Sequence, residues 1–278
     1  MSELNITDAA GRDQLTTRLI KRMRFVLAPV VHHLINLCFT QDKMPLVWKL
    51  AKISPLFKSG DRFDAKNYRP VAVLPALSKV IEKIVIGRLK KYLEFNNLLT
   101  DCENAYREKR SVTTAMLQIY DEMLKIQEKG KDSGCIFLDC SAAFDTIQHD
   151  VLLGKLQLYG VNQKSLAWFK DYLEGRSQYM SIGGILSEIK KIADGAFQGS
   201  IGGPWCFLIM INDIVVVGAG SEITVYIYAD NTCLRVTLSG NHQEDQQKLN
   251  ELMVKIVKYM NSQENGVCGD SSKKTSEL

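Results

Sequence analysis

The stretch Val225-Tyr226-Ile227-Tyr228-Ala229-Asp230-Asn231-Thr232, followed by Cys233 to Leu238, constrains the fold of this chain more than any other. Val, Tyr and Ile favour extended backbone, because branched and aromatic side chains fit a half-buried pleated surface. The Ala-Asp-Asn tip between them suits a tight turn. A β-hairpin with a carboxylate at its end is therefore expected. Asp and Asn also favour turns by hydrogen-bonding their own backbone, so the tip alone admits a purely structural reading. A second strand with a terminal carboxylate, Cys135-Ile136-Phe137-Leu138-Asp139, stands far off in the sequence. Side by side, the two strands would bring Asp139 and Asp230 close enough to share a divalent cation.

Composition sets looser bounds. With 278 residues, 46% hydrophobic and 24% charged, the chain has the length and the apolar material for a folded core. A net charge of +4 permits an acidic partner such as nucleic acid without requiring one. The seven cysteines form no Cys-x-x-Cys pair and no His-Cys cluster, which argues against a zinc site and a disulfide framework and suits a reducing interior. The N-terminus lacks an apolar signal core, and Trp205 to Ile211, the densest apolar run, is too short to span a bilayer. The expectation is a soluble intracellular protein of cytoplasm or nucleus, with no membrane partner.

In chain order, apolar spacing predicts paired helices within residues 1–44, where His32 and His33 read as core or solvated histidines. A basic segment follows, with Lys49, Lys52, Lys58, Arg62, Lys66 and Arg69 interleaved with Ile53, Pro55, Leu56 and Phe57. Half-buried strands of this kind would line a phosphate groove with one face, or simply present a solvated charged face. Ser78 reads as the N-cap of a helix with Glu82 in its first turn and Ile81, Val85, Leu89 and Leu93 at four-residue steps. The polar stretch Asp101 to Ser111 holds Arg107, Lys109 and Arg110 and reads as a basic loop, before a helix over Thr113 to Gln127. Asp150 is placed to cap a helix carrying Leu152, Leu153 and Leu156, and another helical run carries Trp168, Phe169 and Tyr172. Gly183-Gly184 between Gln178–Ile182 and Ile185–Ile192 signals a hairpin. The glycine cluster from Gly195 to Gly203 allows close backbone approach to a ligand, and Pro204 fits the start of an apolar helix from Trp205 to Val217. No P-loop or dinucleotide fingerprint is present.

The order of these pieces resembles the reverse transcriptase domain of non-LTR (LINE-type, jockey-like) retrotransposons over nearly the whole chain. The resemblance rests on Pro45-x-x-Trp48-Lys49, Pro55-Leu56-Phe57-Lys58-x-Gly60-Asp61 and Asn67-Tyr68-Arg69-Pro70. It continues through Phe137-Leu138-Asp139-Cys-Ser-Ala-Ala-Phe144-Asp145-Thr146, Gln198-Gly199-Ser200 with Gly203-Pro204, Phe207-Leu208-x-x-Ile211-Asn212-Asp213, and Tyr228-Ala229-Asp230.

That resemblance implies an α+β right-hand polymerase of fingers and palm, with an antiparallel palm sheet backed by helices; as a departure from the family, no thumb is expected within these residues. Fingers are expected over 1–110, palm over 111–149, a fingers and palm connection over 150–198, and palm again over 199–278. It implies RNA-directed DNA polymerase activity with an RNA template, a DNA primer and deoxynucleoside triphosphates as partners. Asp139 and Asp230, with Asn231 beside them, would form the catalytic set, the two aspartates holding two Mg²⁺ ions, with Mn²⁺ as a substitute, during in-line nucleotidyl transfer. Lys58 and Arg69 would face the triphosphate, and Gln198, with Gly199 beside it, would contact the incoming nucleotide. Phe144 matches the aromatic position that excludes a 2′-hydroxyl, while Lys49, Arg107 and Arg110 would contact nucleic acid. Lys273 is placed either as a proton donor to the leaving group or as an exposed tail lysine.

Departures from the family pattern set the expected activity. The family's hairpin ends in two adjacent aspartates, and here the second is Asn231. The site so loses one negative charge against the dications, and each pair of unit charges at about 4 Å and an effective dielectric near 20 is worth roughly 4 kcal/mol before relaxation. At about 1.4 kcal/mol per tenfold, activity should fall by at least about two orders of magnitude. Phe197 replaces the usual Pro, Gly202 the usual Leu, Ala105-Tyr106-Arg107 the usual Gly-Phe-Arg, and Asp194 a frequent Cys. The C-terminal segment from Tyr259 matches the last palm motif only faintly. An inactive RNA-binding module and a decayed element remnant therefore stand as alternatives to an impaired enzyme.

Overall fold

Runs of branched and aromatic residues become strands, and apolar residues at four-residue steps become helices. The computed structural model describes residues 1–2, 4–5, 9–139, 144–218 and 223–264, the side chains of Asp139, Gln263 and Glu264 excepted. In chain order the elements are α1 (Thr17–Arg22), α2 (Arg24–Gln41), β1 (Leu50–Phe57), β2 (Tyr68–Val73), α3 (Ala76–Phe95), α4 (Val112–Glu128), β3 (Asp132–Asp139), α5 (His149–Leu158), α6 (Gln163–Leu173), β4 (Ser177–Ile182), β5 (Ile185–Leu186), β6 (Lys190–Lys191), α7 (Gly202–Ile211), β7 (Ile223–Tyr228), β8 (Asn231–Leu238) and α8 (His242–Glu264). The architecture is mixed α and β. It divides into two compact units, one of residues 1–93 and 156–206, the other of residues 94–155 and 207–278.

The first unit is built on a sheet of order β2-β1-β4-β5, with β6 also paired to β4. β1 runs antiparallel to β2 and parallel to β4. Ala51 and Ile53 of β1 face inward with Ala72, Leu74 and Phe197, and Ile192 packs against them. In α3 the four-residue period holds, since Ile81, Val85, Leu89 and Leu93 are all buried. Its start differs from the sequence expectation. The helix begins at Ala76, so Ser78 lies inside the first turn, where its hydroxyl donates to the Pro75 carbonyl at 2.9 Å instead of capping. Glu82 points into the interior with 1% of its surface exposed. Trp168 of α6 stacks on Tyr172 at a centroid separation of 5.3 Å.

The second unit holds an antiparallel sheet of order β3-β8-β7. β8 is its centre, buried from Thr232 through Thr237. On one face Ile119 of α4 packs with Tyr226 and Cys233, with Met123 and Cys135 against them. The buried Arg235 on that face donates from Nε to Glu122 at 3.1 Å and from Nη1 to Thr237 at 3.0 Å. On the other face Val225, Ile227, Leu234 and Val236 are buried. Ser111 and Thr114 form a capping box that starts α4.

The apolar run expected as one helix from Trp205 to Val217 is α7 followed by a 3-10 turn at Ile214–Gly218. Asn212 and Asp213 mark the break, because both side chains are committed elsewhere. Asn212 Oδ1 accepts from Thr100 N–H and its Nδ2 donates to Leu98 O, both at 2.8 Å. Asp213 Oδ1 accepts from the buried Lys155 and from the Tyr259 hydroxyl, both at 2.7 Å. The Asn-Asp pair of the motif thus anchors a loop and a lysine within this unit.

Candidate active site

The hairpin expected from the Val-Tyr-Ile run forms with Tyr228 opposite Asn231, leaving Ala229 and Asp230 as a two-residue turn. Turns of this length need a positive φ at the first central position, which glycine supplies most easily. Here the residue is Ala229, at φ +54°. An L side chain in that region costs on the order of 1 kcal/mol or more, and such strain persists where the surroundings over-determine it. The Asn231 amide donates from Nδ2 to Asp230 Oδ1 at 3.3 Å.

β3 meets this tip through the return strand. The last pair of the β3 and β8 ladder sets Asp139 opposite Asn231, after Leu138 opposite Thr232. Directly opposed residues of an antiparallel pair have Cα atoms about 4.5–5.5 Å apart, so the Asp139 backbone lies beside the residue that follows Asp230. Cys140 to Ala143 lie outside the described residues. Phe144, just beyond them, packs at 5.8 Å between centroids from Phe207.

The segment that reads as a basic loop pairs with the strand leading to the same tip. Ile227 N–H donates to Cys102 O at 2.8 Å and Asn104 N–H to Ile227 O at 2.9 Å, a parallel bridge along β7. Between them Glu103 is 1% exposed. Its carboxyl accepts the N–H of Ala105 at 2.5 Å. Burial pushes this carboxyl up to about 7, outweighing the nearby backbone N–H groups and the Arg107 charge that favour its ionised form. The neighbouring Tyr106 phenol is raised as well, by burial first and then by the Asp230 and Glu103 carboxylates. Sequence reasoning missed Glu103, and no local pattern marks it. Arg107 and Arg110 tie down this segment. Arg107 donates to Thr100 O at 2.7 Å, while Arg110 donates to Glu103 O at 3.2 Å and to the Asp101 carboxylate at 2.8 Å.

The first unit holds the other expected residues. Lys58 N–H donates to Asn67 O at 2.8 Å, continuing the ladder beyond Phe57 opposite Tyr68. Strand alternation therefore puts the exposed Lys58 side chain on the same face as Arg69, which pairs with Leu56. Gln198 O accepts from Ala72 N–H at 2.7 Å, laying the glycine motif against β2. Gly199 sits at φ +110°, and a Cβ there would fall 2.6 Å from Ala72 O, so only glycine permits this approach. Glu82 Oε2 accepts from Ile201 N–H at 2.7 Å, where α7 begins. Lys49 goes elsewhere than a phosphate-facing surface. It is 4% exposed, with its ammonium 2.8 Å from Asp171. Burial pushes the Asp171 carboxyl up, but the Lys49 ammonium, the Met44 N–H and the Lys43 ammonium outweigh it and hold it below its ordinary value.

Among the described residues no group of three or more His, Cys, Asp or Glu stands ready to hold a metal. The tip offers hard oxygens, from the Asp230 carboxylate and the Asn231 amide, with Asp139 at the adjoining ladder position. Such a set fits Mg²⁺, which is commonly bound by one or two carboxylates and keeps waters and substrate phosphate oxygens as its other ligands. Lys273 lies outside the described residues. Among those described, no helix is long and apolar enough to cross a membrane.

Residues 57–263 match the family described as reverse transcriptase (RNA-dependent DNA polymerase), and the chain belongs to that family. Its likeness within the family is to enzymes of non-LTR, LINE-type retrotransposons. The RNA-directed DNA polymerase from mobile element jockey of Drosophila melanogaster is 27% identical over 240 residues, 84% of this chain and 26% of that relative. Its counterpart from Drosophila funebris is 27% identical over 237 residues, covering 83% and 26%. The probable RNA-directed DNA polymerase from transposon X-element of Drosophila melanogaster is 24% identical over 229 residues, covering 81% and 25%. The chain thus spans about a quarter of the length of these relatives.

Proposed function

We propose that the chain carries the polymerising core of a retrotransposon reverse transcriptase, folded as a right-hand polymerase and slowed by Asn231. In this reading the β3-β8-β7 sheet and its helices serve as the palm, and the unit with Lys58, Arg69 and Gln198 serves as fingers. One observation carries it. The ladder that sets Asp139 opposite Asn231 puts one strand-end aspartate next to the hairpin tip that presents the other.

Asp139 and Asp230 hold Mg²⁺, with the Asn231 carbonyl as a weaker oxygen donor. The bound cation supplies Lewis-acid stabilisation of the attacking and leaving oxygens in phosphoryl transfer. Arg69 and Lys58 neutralise the triphosphate, the planar guanidinium as a fork and the ammonium as a point charge. Gln198, held by its own backbone on β2, contacts the incoming nucleotide, and Phe144 closes the space that a 2′-hydroxyl needs. Lys49 is left out of the nucleic-acid surface, since its charge is matched inside its own unit. Arg107 and Arg110 contribute positive potential more than direct forks, because their N–H groups serve Thr100, Asp101 and Glu103.

The test is primer extension on an RNA template with Mg²⁺ and, separately, Mn²⁺. Asn231→Asp should extend at least about a hundredfold faster than the unmodified chain, which follows from roughly 3 kcal/mol or more of recovered charge stabilisation. Asp139→Ala serves as the blank, and extension by the unmodified chain at the rate of Asn231→Asp would sink the claim. Asn231 itself favours a second reading, a polymerase fold kept for holding RNA. That reading requires affinity for an RNA–DNA hybrid at low salt that falls steeply as salt rises.

A further inference from the structure

The glycine motif is held at three places within its own unit. Gln198 O accepts from Ala72 N–H of β2 at 2.7 Å. Ser200 Oγ accepts from Gly203 N–H at 2.8 Å and donates to Phe197 O at 2.9 Å, closing the turn on itself. The third hold comes from α3, where Glu82 Oε2 accepts from Ile201 N–H at 2.7 Å. Resting on the polymerase reading above, we propose that Glu82 is a positioning residue for the glycine motif. It fixes the backbone at Ile201 and thereby the place at which Gln198 and Gly199 are offered to the incoming nucleotide.

Three features support this. First, α7 has a cap of its own, since the Ser200 hydroxyl takes the Gly203 N–H of its first turn as a capping side chain does. Glu82 stands 119 residues away in sequence, so its hydrogen bond sets where the start of α7 lies against α3. Second, a carboxyl with 1% exposure carries a desolvation cost that an apolar side chain of similar size would avoid. Space filling alone does not account for it; an acceptor for the Ile201 N–H does. Third, the motif has no slack on its other side. Gly199, at φ +110°, is pressed so closely on β2 that a Cβ would fall 2.6 Å from Ala72 O. Phe197 is buried, with the Arg176 guanidinium 5.1 Å from its ring centroid. Only Gly199 and Ser200 separate the residue anchored to β2 from the residue anchored to Glu82, so a displacement of Ile201 passes directly to Gln198.

Burial raises the Glu82 carboxyl, opposed first by the charge of Arg176, which is itself buried and donates from Nε to Tyr172 O at 2.6 Å. The positioning role does not depend on ionisation, because a carboxyl oxygen accepts an N–H in either state.

The experiment combines amide hydrogen exchange with primer extension, using Glu82→Met, which keeps volume and removes the oxygen acceptors, and Glu82→Gln, which keeps one. In Glu82→Met the Ile201 amide should exchange at least about tenfold faster while the Phe169 amide, inside α6, is unchanged; in Glu82→Gln the Ile201 amide should stay protected. In an Asn231→Asp background, Glu82→Met should raise nucleotide KM at least about fivefold with kcat changed by less than about twofold, and Glu82→Gln should restore KM. A loss of folded protein alone would lower kcat and leave KM in place. Equal Ile201 exchange in Glu82→Met and unmodified protein would overturn the inference, as would an unchanged KM. Should Glu82→Met fail to fold, a scalar coupling across the hydrogen bond from Ile201 nitrogen to the Glu82 carboxyl carbon tests the unmodified protein, and its absence would also overturn it. Altered Ile201 exchange with no extension by Asn231→Asp would instead overturn the polymerase reading.

Discussion

Replacing Glu103 by Gln should flatten the pH dependence of stability of this protein between pH 5 and pH 8. The carboxyl is pushed from its ordinary 4.5 to about 7 by burial. A folded state that holds its proton more tightly than the unfolded state gains stability at low pH. The contribution is complete below about pH 4.5, is lost as pH rises through about 7, and is flat beyond. Integrating the linkage relation between pH 5 and pH 8 gives about 2–3 kcal/mol lost by the unmodified protein and none from this position in Glu103→Gln. Guanidinium groups keep their charge across this window, and burial moves the Tyr106 phenol further above it, so these neighbours add little slope of their own.

The assay is urea unfolding at several pH values, with the free energy taken from midpoint and slope. Gln keeps one acceptor and brings two donors into the interior, so a constant offset from the unmodified protein is expected, of either sign. The decisive quantity is how the difference between the two proteins changes with pH. Parallel curves, differing by a constant within about 0.5 kcal/mol from pH 5 to pH 8, would mean that Glu103 titrates like an exposed carboxyl, and the burial argument would fail.

Two substitutions test the first unit. Gly199→Ala should destabilise it by about 1–3 kcal/mol and lower extension in an Asn231→Asp background, because the added Cβ meets Ala72 O at 2.6 Å and φ is +110°; an unchanged Tm would count against the need for glycine at this contact. Asp171→Ala should cost about 3–5 kcal/mol by leaving the Lys49 ammonium buried without its carboxylate, and Lys49→Met combined with Asp171→Leu should recover most of that loss in the same urea assay.

What the sequence discloses here is local. The hairpin is legible because Val225 to Tyr228 and Cys233 to Leu238 are β-formers around a turn-forming tip, and α3 is legible because its apolar period survives burial. β3 is longer than its apolar run suggests, starting at Asp132, because Asp132, Ser133 and Gly134 pair with Leu238, Thr237 and Val236 and the ladder overrides weak propensity. Ser78 resembles a cap by its place before an apolar period, but the chain enters the helix earlier, straight after Pro75. Partners distant in sequence are not legible at all. Lys49 sits in a basic run and reads as phosphate-facing until Asp171, from α6, is found beside it. Glu103 lies in a polar stretch that reads as a basic loop, yet pairing with β7 leaves it 1% exposed.

Asn231 joins the two kinds of information. Its ladder partners, Tyr228 across the turn and Asp139 across the sheet, are engaged through register, which Asn and Asp meet with the same backbone groups. Its side chain is exposed and hydrogen-bonds to the neighbouring Asp230. Exchanging Asn for Asp at this position is therefore nearly neutral for the hairpin while changing the charge at the tip by a full unit. That separation lets the tip keep its strand pairing with a neutral residue beside Asp230. On the proposed polymerase reading, it is also why Asn231→Asp alone is expected to raise primer extension without any rebuilding of the fold.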